Sequence, residues 1–137
     1  MNPRLRAALA LPVSILLLSA CNTLPQRAAP VVDHNKIWQT SRLALDQGRY
    51  AYEQGDFERA SLWLNESLDL KLSSVGETVE AHKLLAFIAC SRAEMDDCRA
   101  HFRSVLALAP GFELAKAEAG HPMWGPVFIE EKAALAH

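Results

Sequence analysis

The stretch "GRYAYEQGDFERASLWLNESLDL", residues 48–70, carries the pattern on which the fold turns. Its apolar residues recur at helical spacing, and the same period dominates from about Asp33 to Ala109, with no sustained strand-like alternation. Gly48 and Ala60 are small, so two antiparallel helices can approach closely there. Leu64 and Leu68 are large and fill the space left along the second helix. Further on, Ala86 and Cys98 repeat the small positions, and Phe102 and Leu106 the large ones. The expectation is an all-α chain built from paired helices.

Residues 48–70 resemble the tetratricopeptide (TPR) repeat. Gly48 takes its small eighth position, Gly55-Asp56-Phe57 the turn between helices, and Ala60 the small twentieth position. A second unit fits 81–110, "AHKLLAFIACSRAEMDDCRAHFRSVLALAP", with Ala86 and Ala89 in the small positions of its first helix, Val105 and Leu108 continuing the apolar pattern, and Pro110 at the stop. Ala51 stands in place of the usual tyrosine and Ala93 in place of the turn glycine. Ala60 and Cys98 are 38 residues apart, more than one period of about 34. The excess falls in Ser73-Ser74-Val75-Gly76, where Ser74 and Glu77 have capping-box spacing for the next helix.

The resemblance implies a short solenoid of two antiparallel hairpins that binds a peptide or helix in the groove lined by each pair's first helix. By register that groove comprises Arg42, Leu45, Arg49, Tyr52 and Glu53, then Glu80, Lys83, Phe87, Cys90 and Ser91. Leu45, Arg49, Lys83 and Phe87 do not fit the subset of TPRs that clamps carboxylates. A mixed basic and aromatic strip remains, Arg49, Tyr52, Lys83 and Phe87, and Tyr and Arg are frequent binding anchors. Solvent-facing helix residues are the plainer reading of each.

Two repeats are fewer than the three or more that usually form a stable array, so something must cover the ends. With Asp33 as N-cap, Ile37 and Trp38 could cover one. The tail, 112–137, could cover the other. Gly120, Pro122, Gly125 and Pro126 interrupt its helices, and Pro126 suits the first turn of a last helix running to about Ala136. Trp124, Val127, Phe128, Ile129 and Leu135 offer apolar docking surface, with Trp124 alternatively a partner site of its own.

Upstream, the chain begins MNPRLRAALALPVSILLLSAC. Arg4 and Arg6, then the apolar run Ala7 to Leu18, then Ser19 and Ala20 follow the order of a secretory signal. That run is about a dozen residues, against about 20 for a membrane span. Leu18-Ser19-Ala20-Cys21 resembles the lipobox of bacterial lipoproteins, which implies cleavage after Ala20 and lipidation of Cys21. Asn22, where an aspartate would favour the inner membrane, points to the outer membrane and the periplasm. Residues 22–32, with Pro25 and Pro30, read as an extended tether. The expected organisation is a signal peptide (1–20), an anchor and tether (21–32) and one helical domain (33–137).

Over the whole chain 14 basic residues face 16 acidic ones; without residues 1–20 the balance is 12 against 16, a formal charge of −4. Nucleic acid wants a basic face, so it is not the expected partner. No catalytic or phosphate-binding motif occurs, and no cofactor is expected. His82 and His101 lack a third ligand at suitable spacing for a metal, and Asp96 and Asp97 suit a helix N-terminus better than acid–base catalysis. Cys90 and Cys98 are an even pair in a chain expected to be exported, so they are either a disulfide or two buried thiols. A bond there would staple a helical turn, as the C-x7-C spacing does in the related Sel1 repeats, and add roughly 2–3 kcal/mol.

The repeat pair with its GHPMWGP tail (120–126) looks like accessory lipoproteins of type VI secretion clusters. The functional expectation is therefore a membrane-anchored scaffold of an envelope assembly, not an enzyme; an adaptor for cell-wall remodelling or pilus assembly is the alternative. Mass spectrometry of the protein purified from membranes checks the anchor. A chain beginning at a diacylated and N-acylated Cys21 is expected, and an intact Met1 or an unmodified Cys21 would contradict it.

Overall fold

The computed structural model describes residues 34–135, six helices joined by turns, and these described residues contain no strand. The helices are α1 (His34–Glu53), α2 (Phe57–Asp69), α3 (Val75–Ser91), α4 (Met95–Leu108), α5 (Lys116–Ala119) and α6 (Gly125–Ala134). The signal-like segment, Cys21, the tether and the Asp33 cap lie outside the described residues.

α1 and α2 form one antiparallel hairpin, α3 and α4 a second. Gly48 sets the first close approach: a Cβ there would lie 2.7 Å from Leu64 Cγ and 3.2 Å from the Leu64 backbone nitrogen. Ala60 and Leu64 are buried beneath it, while Leu68 is half-buried at the margin. The turn is a Schellman motif, in which Gly55 N–H donates to Tyr52 O and Asp56 N–H to Ala51 O. Gly55 is left-handed at φ 75°, as that motif requires. The second turn repeats both bonds, from Ala93 to Cys90 and from Glu94 to Ala89, with Ala93 at φ 59°. An alanine pays roughly 1–2 kcal/mol for that conformation, so the turn is set by the hairpin and not by local preference. Asp56 caps α2 by accepting from Arg59 N–H, whereas Glu94 makes no such bond to α4.

α3 is the centre of the domain. Every residue from Leu84 to Cys90 is buried, so this helix has no solvent face over two turns. A helix apolar all round must be covered all round. α2 and α4 flank it, α1 touches it, and the tail covers what remains. Ser74 Oγ caps its start by accepting from Glu77 N–H, but the Glu77 carboxylate turns to Arg42 at 3.2 Å instead of completing a capping box.

The last helix begins at Gly125, with Pro126 in its first turn as the sequence suggests. Val127 and Phe128 are buried, and the Phe128 ring meets Phe102 of α4 edge-on at 5.4 Å and Phe112 at 6.0 Å. Glu131, 7% exposed, takes Arg99 at 2.9 Å and Arg103 at 3.3 Å, so its buried charge is paired. Ile129 and Leu135, expected to dock, point outward, because α6 turns the Val127, Phe128 and Glu131 side inward. Leu108 and Trp38 are also exposed; among residues 35–40 of α1 only Ile37 is half-buried.

Two pairs tie α3 to α4. Cys90 and Cys98 are joined through their sulfurs, with Cα atoms 5.1 Å apart and both side chains buried, so the cross-link spans the Ala93 turn. Further along, His82 Nδ1 and His101 Nδ1 share a hydrogen bond of 3.0 Å. One ring donates and the other accepts, so the pair does not accept a proton on both. Burial lowers both histidines from their ordinary value; for His82 the neighbouring His101 adds to this, while Asp97 partly offsets it for His101. The unfolded chain takes up protons near pH 6.5 that the folded chain resists, so their stabilisation is present above that pH and lost as pH falls. The melting temperature should drop between pH 7.5 and pH 5, and drop less in His101→Gln. Equal slopes for the two proteins would contradict this account.

Candidate protein-binding face

The strip expected from the register lies on neighbouring faces of α1 and α3, where cross-helix ion pairs set the spacing. Arg49 Nε donates to Glu80 at 2.7 Å while its other nitrogens reach Glu80 and Asp46. Hydrogen bonding to Glu80 raises the Arg49 pKa, so the guanidinium stays charged. Tyr52 is half-buried against Phe57, ring centroids 5.5 Å apart. Burial pushes its hydroxyl up, with the negative charge of Glu118 adding to the shift.

Lys83 and Phe87 do not form an open strip with them. Lys83 Nζ bonds to Glu118 of α5 at 2.5 Å and lies 5.6 Å from the Phe87 ring centre. Phe87 is only 2% exposed, because the Trp124 indole stacks on it at 4.4 Å. Leu45 and Cys90, two further positions of the expected groove, are likewise core residues: Leu45 packs in the first hairpin and Cys90 is cross-linked. The side chains left accessible on this face are those of Arg42 and Glu53 and, in part, Arg49, Tyr52, Glu80, Lys83 and Ser91.

Trp124 is held by two further contacts of the tail itself. Its Nε1 donates to Glu118 O at 2.9 Å, and the His121 ring stacks on it at 3.3 Å. His121 Nδ1 also accepts from Met123 N–H at 3.3 Å, which fixes the turn around Pro122. Gly125 permits this fold-back: a Cβ there would come 2.3 Å from Ala119 O, a backbone atom that cannot step aside. The GHPMWGP spelling therefore has a local reason, although nothing in it names Phe87 as the surface on which the indole lies.

Elsewhere, Leu62 and Trp63 are exposed on the outer side of α2, where with Arg59 and Glu66 they line a shallow apolar depression. In the sequence, the signal for this face is two adjacent large apolar residues outside the buried stripe. Among the described residues no three histidine, cysteine or acidic side chains gather as a metal site, and no helix is long and apolar enough to cross a membrane. No family model, curated protein or solved structure matches this chain.

Proposed function

We propose that the chain is a lipid-anchored scaffold on the periplasmic side of the outer membrane, which binds a segment of a protein partner along the α1–α3 face. The partner in this reading is an envelope or secretion-system component, and the chain itself is not an enzyme. One observation carries the proposal. Neighbouring α1 and α3 carry charged Arg49, half-buried Tyr52 and Lys83, and Lys83 lies over the Phe87 ring on which the tail's Trp124 stacks. Such a combination of aromatic and arginine anchors is typical of surfaces where a few residues dominate binding. The signal-like start and lipobox resemblance support the location.

Site-specific photocrosslinking in cells tests the reading. A photoreactive residue at position 52 of the full-length chain should give a discrete protein adduct, and one at exposed Ala107 on α4 should not. Arg49→Glu should abolish the adduct at 52 while circular dichroism stays helical. Equal adducts from both positions, or an adduct indifferent to Arg49→Glu, would move the binding site elsewhere.

A further inference from the structure

The tail is attached in two unequal ways. α6 is bound to α4 through Phe128, Val127 and the Glu131–Arg99–Arg103 cluster. The preceding stretch, 115–124, has no fully buried residue. α5 packs its backbone only against α6 and reaches α3 through side chains, the Glu118 carboxylate on Lys83 and, just beyond the helix, the Trp124 indole on Phe87. The two groups come from one short loop, and the Nε1 bond from Trp124 to Glu118 O holds them at a defined separation.

A carboxylate on Lys83 with an indole on Phe87 is what a bound peptide would show, supplied here by the chain itself. We propose that residues 115–124 are an internal ligand of the α3 face, and that the partner is a peptide segment presenting a carboxylate and an aromatic ring that takes the places of Glu118 and Trp124. This deepens the binding function proposed above and rests on the same face. A segment tethered to its own site acts at an effective concentration in the millimolar range, so it suppresses weak ligands and admits strong ones. A partner's apparent affinity is reduced by the fraction of molecules whose strap is closed. Lys83 and Phe87 then select for the charge and the ring, while Gly120 within the strap and the junction at Gly125, where α6 begins, let it leave without unseating α6.

The test needs no cellular partner, so it can fail independently of the crosslinking. The probe is a fluorescein-labelled peptide of residues 113–125, ELAKAEAGHPMWG, measured by anisotropy against the full-length chain in detergent. The vacated variant Glu118→Ala/Trp124→Ala should bind it at least tenfold more tightly than the unaltered chain, and adding Lys83→Glu should remove that gain. A peptide with glutamine in place of the residue-118 glutamate should bind at least tenfold more weakly. Equal binding to the vacated and unaltered chains, no saturable binding to the vacated chain, or indifference to Lys83→Glu or to the glutamine peptide would overturn the proposal.

Should the vacated variant lose its cooperative melt, Glu118→Gln in a Trp38→Phe/Trp63→Phe background leaves Trp124 as the single tryptophan reporter. Its emission should shift to the red and quench more readily with acrylamide than in the Glu118 parent. Unchanged emission and quenching would show that the ion pair does not hold the strap, and would overturn the proposal equally.

Discussion

A helix without a solvent face has to be enclosed, and α3 is that helix. From Leu84 to Cys90 its side chains are buried on every side, against α1, α2 and α4 and, through Trp124, against the tail. α2 and α4 supply two flanks, α4 through the small, buried Cys98 bonded to Cys90. The remaining inner flank carries Phe87. Leaving that ring in water would forfeit roughly 1.5–3 kcal/mol of burial, so the chain brings Trp124 back over it. An aromatic series from Trp124 through Phe87, Phe102 and Phe128 to Phe112 then joins the tail to α3 and α4.

In the proposed reading, that closure links stability to recognition. The flank completed by the tail is the flank proposed for partner binding, and Lys83 on it is the partner of Glu118. The energetic asymmetry within the tail resolves the conflict. Buried Glu131 between two arginines, with Phe128 against Phe102, makes α6 a structural cover. The 115–124 strap depends on one partly exposed ion pair, worth about 1 kcal/mol or less, and on one stacked indole. In the proposed reading the strap leaves the cover in place and the hairpins intact.

The hairpins were legible in the sequence because helix packing is written in residue size at local spacing. Gly48, Ala60 and Leu64 are within 16 residues of one another, and their small and large alternation predicts the approach that the structure contains. The Pro126 start of α6 was legible for the same local reason. What lay beyond reach was pairing at long range. The bond of Lys83 with Glu118 joins residues 35 apart and leaves no periodic trace. By register alone Phe87 therefore read as a groove residue, although the tail buries it. Ile129 and Leu135 read as docking residues by hydrophobicity alone, but the rotation of α6 is decided by Glu131 seeking Arg99 and Arg103.

The most direct test of the tail as the cover of α3 and its partner α4 is thermal unfolding of chains ending at residue 120 and at residue 137. The shorter chain loses half-buried Trp124 together with Val127 and Phe128, which are buried and worth roughly 1.5–3 kcal/mol each, against a typical total of about 5–15 kcal/mol. A shift of several degrees per kcal/mol is usual for a domain of this size, so the melting temperature should fall by at least about 10 °C or the cooperative transition should disappear. Equal melting temperatures for the two chains would show that the hairpins enclose α3 without the tail, and would contradict the account.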